Sequence, residues 1–272
     1  MRRVPGVDED MSPDTGTVTI RGHRLYVERL GPPGGLPLVL LHHGLGSVGA
    51  WRDIAPLLAA AGFRVLAYDR WGYGRSDDRP SFDIPDFTDD LADLTALLEH
   101  EGMERAVLVG HSDGGTIALL WAAEDPGRVD AMVSVAAHAY IEPKMDDGIE
   151  GIRRRWDSDP RFRESLTAIH GPRAADLVEE WIGAWHRPEN RGWDIRDRLG
   201  TVSSPVLVIQ GTSDGHAAPH HARAIHAALP ESRLWLPEGA GHMLPRERPG
   251  PLTERVLGFL SEVLPRDRRA GG

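Results

Sequence analysis

Along the chain, short apolar runs alternate with longer stretches in which apolar residues recur every three or four positions. That alternation predicts βαβ units, and hence a mostly parallel sheet flanked by helices. Thr17 to Ile20 and Leu25 to Arg29, parted by Arg21-Gly22, read as an opening antiparallel hairpin. Pro37-Leu38-Val39-Leu40-Leu41 is apolar throughout, as expected of a strand buried on both faces. Further strands are predicted over Phe63 to Tyr68, Val107 to Val109, Val129 to Ala136, Pro205 to Ile209 and Arg233 to Leu236, which makes a sheet of about eight strands in all. Between them the pattern predicts helices over Trp51 to Ala61, stopped by Gly62, and over Phe87 to Gly102, where Phe87, Leu91, Leu94 and Leu98 share one face. Thr116 onward forms another helix, and Leu252 to Leu264 closes the chain with a last one.

Between 137 and 199 the pattern changes. Polar breaks such as Asp157-Ser158-Asp159-Pro160 separate helical segments, and Trp156, Trp181, Trp185 and Trp193 appear. Leu177, Trp181 and Trp185 are spaced by four, so they form an apolar stripe on one helical face that needs cover. A helical cap inserted into the sheet domain accounts for this stretch, with the stripe packing on that domain and Trp181 and Trp185 lining a substrate cavity. The expected organisation is a core of residues 16–136 and 200–265, the cap at 137–199, and loose tails at 1–15 and 266–272.

Composition narrows the function classes. A chain of 272 residues suits one core with one sizeable insertion. The net charge of −10 argues against nucleic acid or an anionic membrane surface as a partner, because both reward a basic face. There is no cysteine, which removes disulfides, thiolate zinc sites and thiol nucleophiles. The first ten residues have a basic start without an apolar run behind it, unlike a secretory signal, and no stretch approaches the length of about eighteen apolar residues that a membrane span needs. A cytoplasmic protein is the default expectation.

The densest chemistry lies where Val107-Leu108-Val109 runs into Gly110-His111-Ser112-Asp113-Gly114 and then into a helix. A serine held between glycines at a sharp strand-to-helix turn can project its Oγ clear of the sheet, so Ser112 reads as a nucleophile. A serine hydroxyl is scarcely ionised at neutral pH and needs an imidazole base and a carboxylate to orient it. Asp214, a few residues past the strand that ends at Ile209, is the candidate acid; capping the turn before the helix near Pro219 is its structural alternative. His242, in a glycine-containing loop after the last strand, is the candidate base. Other histidines have plainer readings: His220 and His221 on a solvated helix, His170 and His186 in the insertion. His216 and His220 are four apart, a spacing that suits a metal on one helical face, but no third ligand accompanies them, so no metal is expected. For the oxyanion, the backbone N–H groups of Asp113 and of Leu45, in the turn His43-Gly44-Leu45-Gly46, are the candidate donors.

Taken together, the His43-Gly44 turn, Gly-His-Ser-Asp-Gly at 110 to 114, and an acid and a histidine following in the order Ser112, Asp214, His242 resemble the α/β-hydrolase family. The likeness covers residues 16 to 264, and it includes a Gly-x-Gly-x-Ser turn within Asp69 to Ser76, where Trp71 occupies a position often polar in the family. It implies the α/β-hydrolase fold with a cap and a cofactor-free serine hydrolase. Haloalkane dehalogenases and epoxide hydrolases look similar but place aspartate where this chain has Ser112. Hydrolysis of small-to-medium, partly hydrophobic carboxylic esters is therefore expected, with C–C bond hydrolase, lactonase and perhydrolase chemistry available to the same triad. A non-catalytic small-molecule-binding protein on this fold is the reading from a different class. The Asp113 carboxylate, next to the nucleophile, would either select cationic over anionic substrates or turn inward to pair with a local donor.

Overall fold

The computed structural model describes residues 12–265. The apolar runs become β1 (Asp14–Ile20), β2 (His23–Leu30), β3 (Leu36–Leu41), β4 (Phe63–Tyr68), β5 (Ala106–His111), β6 (Val129–Val135), β7 (Val206–Ile209) and β8 (Ser232–Trp235). They form one eight-stranded sheet in the order β1-β2-β4-β3-β5-β6-β7-β8. The β1–β2 and β2–β4 pairs are antiparallel, and every other pair is parallel. The reading of residues 1–15 as a loose tail is corrected at its end, because Asp14 and Thr15 pair with Arg29 and Glu28. Residues 1–11 and the expected tail at 266–272 lie outside the described residues.

Side chains that alternate along the central strands face two different cores, as the pleat requires. Leu38, Leu40, Val107 and Val109 pack with Leu58 of α1 (Ala55–Ala60) and with a phenylalanine, Phe259, of the closing helix. Val39, Leu41 and Leu108 pack on the other side with Leu94 and Leu98 of α2 (Thr88–His100) and Leu120 of α3 (Asp113–Glu124). A single helix over Trp51 to Ala61 does not form. A 3₁₀ turn at Val48–Trp51 precedes α1, because Pro56 has no N–H to donate and fits only a helix's first turn.

Between β6 and β7 the chain inserts α4 (Pro143–Ser158), α5 (Pro160–His170) and α6 (Ala174–Trp185). The break at Asp159 is chemical as well as steric: its carboxylate accepts from the amides of Arg161 and Phe162 and so caps α5. On α6, Leu177 and Trp185 of the expected stripe are buried and Trp181 between them is half-buried, so the stripe is mostly covered. After β7 come α7 (Pro219–Ala228), α8 (Leu244–Glu247) and α9 (Pro249–Val263).

The loop after β4 is fastened by buried charge. Arg70 and Arg79, each 1% exposed in the side chain, donate to the two oxygens of Asp90 at 2.9 and 2.8 Å. Arg79 also meets Asp83 and Asp89. Removing one member of such a group leaves uncompensated charge out of water, which costs far more than a surface ion pair. Asp90→Ala is expected to lower stability by about 3–5 kcal/mol in urea unfolding; a loss below about 1 kcal/mol would show that both guanidiniums find water or other partners.

Candidate active site

The parallel strands direct their carboxyl ends to one edge, and the sequence-predicted residues gather there. β5 runs directly into Ser112, at φ +53° and ψ −119°, a positive-φ conformation uncommon for a residue with a Cβ. Glycines make the turn possible. A Cβ on Gly110 would run into the Gly114 carbonyl, and one on Gly114 into the Leu41 carbonyl. Ser112 N–H donates to the Val135 carbonyl at 2.8 Å, which pins the turn to the next strand.

Ser112 Oγ lies 3.0 Å from His242 Nε2, and His242 Nδ1 lies 2.8 Å from Asp214 Oδ2. With a neutral ring, Nδ1–H donates to the carboxylate and Nε2 accepts from the serine hydroxyl. Asp214 both pairs with His242 and shapes its own turn. Its Oδ1 accepts from the His216 and Ala217 amides at 2.8 and 3.0 Å, and Gln210 Nε2 donates to Oδ2 at 2.8 Å. Burial works against its charge, but the His242 hydrogen bond, the His242 charge and the two amides outweigh burial and hold the carboxyl well below the usual carboxylate range. His111 holds His242 from behind: its Nε2–H donates to the His242 carbonyl at 2.8 Å. Sequence pattern passed over His111, because its partner is 131 residues away in the chain.

Opposite the serine, the turn 43–46 closes through Gly46 N–H to the His43 carbonyl, with Leu45 at φ +57°. That hydrogen bond leaves the Leu45 amide out of the turn's own pairing. The Asp113 amide opens α3, where the first N–H groups have no intrahelical acceptor. The Asp113 carboxylate, by contrast, is fully buried; Trp181 Nε1–H donates to it at 3.0 Å and Arg70 approaches at 3.7 Å. Of the two expectations for Asp113, the structure shows the inward one. The charge-selecting contact with substrate is corrected, since its side chain does not line the cavity. Gly44 belongs to the same arrangement, because a Cβ there would collide with both Trp181 and Asp113.

Ser112 and His242 open on a cavity of about 470 Å³ between the sheet edge and the insertion. Met145, Ile149, Leu166, Trp181 and Trp185 come from the insertion to line it, and His138 and His216 join them from the strand ends. His221 corrects the solvated-helix reading, being fully buried while His220 is exposed. Both meet Glu142, at 3.2 and 2.9 Å respectively, and the three present possible metal-ligand atoms within 4.8 Å of one another; His216 is not among them. The Ala139 N–H donates to His221 Nδ1 at 3.4 Å, which leaves the ring proton on Nε2, directed at Glu142. A nitrogen that carries a proton is not a metal ligand, so the group reads as a hydrogen-bonded tie between insertion and sheet domain.

Burial holds seven histidines (His42, His43, His111, His138, His170, His216 and His221) below the ordinary imidazole range, with His111 at about 3 and His170 and His216 at about 4. These rings stay neutral in the folded chain while the unfolded chain protonates near the ordinary imidazole value of 6.5. Below that value the unfolded state binds more protons, so stability falls as pH drops toward the folded values. Each such group contributes up to about 1.4 kcal/mol per pH unit, so a few of them rival a total stability of about 5–15 kcal/mol. Thermal unfolding is expected to be flat from pH 8 to 7 and to move sharply down by pH 5; an unchanged Tm at pH 5 would contradict this.

Comparison with known proteins agrees with this fold. Residues 37–168 match the sequence profile of the alpha/beta hydrolase fold family. The human protein named Serine hydrolase BPHL is 32% identical over 249 residues, covering 88% of this chain and 84% of its own. Epoxide hydrolase A of Mycobacterium tuberculosis is 30% identical over 318 residues, covering 92% and 98%. Among solved structures, the esterase RhEst1 from Rhodococcus sp. ECU1013 superposes with a TM-score of 0.71 at 25% identity, covering 93% of this chain and all of that one. The described helices give no membrane span long and apolar enough to cross a bilayer. Sheet order, helical insertion and these relatives lead to one statement: the chain is a hydrolase belonging to the alpha/beta hydrolase fold family.

Proposed function

We propose that the protein hydrolyses carboxylic esters of small-to-medium, partly hydrophobic substrates through an acyl-enzyme on Ser112. The observation that carries this reading is the unbroken chain from Ser112 Oγ through His242 to Asp214, with the serine facing a cavity lined largely by apolar side chains. Ser112 Oγ attacks the ester carbonyl carbon as His242 Nε2 takes its proton, and the carbonyl electrons move onto oxygen. The amides of Leu45 and Asp113 stabilise that oxyanion, the latter aided by the positive end of α3. On collapse the alcohol leaves with the proton from His242. Water then attacks the acyl-serine with His242 as base, and the carboxylic acid departs. Asp214 keeps the ring in the tautomer that can accept from serine and stabilises the imidazolium.

Serine at the elbow, rather than a carboxylate, favours acyl transfer over the covalent alkyl chemistry of an aspartate nucleophile, whatever the name of the mycobacterial relative. Trp181 and Trp185 supply aromatic walls to the cavity, and the buried Asp113 serves as the anchor for Trp181. The substrate is a small molecule rather than a polymer, since the insertion roofs the cavity.

A fluorophosphonate is expected to label the protein once, at Ser112, by intact mass and peptide mapping. Ser112→Ala should lose both the label and aryl-ester hydrolysis, the latter by at least about 10⁴-fold. Absence of any adduct on the folded wild type would instead favour a non-catalytic binding protein. Asp214→Asn should retain the fold and lower kcat by about 10⁴-fold, because the amide selects the wrong ring tautomer; a loss under about tenfold would remove Asp214 from the reaction.

A further inference from the structure

His170 is the last residue of α5, is 3% exposed, and reaches out of the insertion to two turns of the sheet domain. Its Nδ1 lies 2.9 Å from the Gly74 amide nitrogen and its Nε2 lies 3.0 Å from the Leu45 carbonyl oxygen. An amide N–H only donates and a carbonyl only accepts, so the pair of partners permits one protonation state: Nδ1 bare, Nε2 carrying the proton. Protonation of Nδ1 would set two donors against each other, and the ring is accordingly held well below the ordinary imidazole range, at about 4, chiefly by burial. Next to it, Arg173 donates to the Gly74 and Ser76 carbonyls at 3.0 Å and pairs with Asp78. The insertion thus grips the 69–78 loop at several points, and it meets the 43–46 turn through Trp181 packed against Gly44 and through a hydrogen bond from His170 to Leu45.

That hydrogen bond falls on a sensitive peptide. Leu45 is a non-glycine residue at φ +57°, so its conformation needs support from outside the turn. The Leu45 carbonyl belongs to the peptide whose other end, the Gly46 N–H, closes the turn on His43, so holding both ends anchors that plane and narrows the φ and ψ through which the preceding peptide, with the Leu45 N–H, can turn. We infer that His170 is a positioning residue for the oxyanion site: the helical insertion, through this imidazole, aims the Leu45 N–H, so that acyl transfer requires the insertion to be seated. The inference rests on the ester-hydrolase reading above. It couples two elements 125 residues apart in the chain. Substrate enclosed beneath the insertion and a completed oxyanion site would then be one event, which is how closure can be made to favour reaction over idle binding.

The test compares wild type with His170→Phe, which keeps the bulk and loses both hydrogen bonds, and His170→Gln, whose amide offers one donor and one acceptor. Rates are expressed per active site titrated with fluorophosphonate, so misfolded protein does not count. For His170→Phe, kcat for an aryl ester should fall about 10- to 100-fold, less than outright loss of an oxyanion donor, with KM within threefold. Affinity for a trifluoromethyl ketone, which forms the tetrahedral adduct, should fall by the same factor as kcat/KM. His170→Gln should recover most of both. Should the Phe variant not fold, His170→Asn, too short to reach both partners, should show the same kcat loss. A kcat per titrated site within twofold of wild type in the Phe or Asn variant overturns the inference while leaving the hydrolase reading intact; a wild type that neither labels nor turns over esters removes both together.

Discussion

The rest of the site depends on how closely the backbone can fold at the end of β5. Ser112 takes a positive φ because Gly110 and Gly114 let the strand and the first turn of α3 come within contact of one another and of Leu41. The strain is offset by the sheet, since Ser112 donates to Val135 and the flanking residues are wholly buried. Everything else is arranged around where that Oγ points. His242 arrives on a loop whose carbonyl is held by His111, the elbow's own residue, so Ser112 and His242 are placed by one small structure.

A second pattern is the use of neutral imidazoles as internal ties. His42 accepts from the Arg70 amide at 3.0 Å, His170 joins the 69–78 loop to the 43–46 turn, and His221 joins Glu142 to the Ala139 amide. A neutral ring provides one donor and one acceptor, which suits a place where an N–H and a carbonyl must both be satisfied away from water. The charged alternative occurs where several carboxylates are available, around Arg70 and Arg79. The insertion is fastened to the sheet domain by both kinds of group, and its apolar stripe fills the space between.

The elements that sequence patterning placed well were those whose signal is local. β4 coincides with its predicted span, and the elbow motif carries its geometry in two glycines and a serine. Where one local feature overrode another the reading went astray, as at Pro56, which divided an expected helix. Asp113 shows a different limit. A carboxylate beside a nucleophile has two plausible destinations, and the choice was made by Trp181, 68 residues on, and by the space that Gly44 leaves for it. His111, His138 and His170 gave no signal at all, because nothing in their immediate neighbours tells which surfaces will meet there.

By itself, then, the sequence determined what periodicity and backbone chemistry control: a parallel sheet between helices, a helical insertion, and a serine at a forced turn followed by an acid and a base in a recognisable order. Only the tertiary structure decided which side chains complete the site. Hydrogen bonds such as those from His170 to Leu45 and from Trp181 to Asp113 join residues far apart in the chain, so their partners exist only once the sheet has brought the strand ends to one edge and the insertion has closed over it.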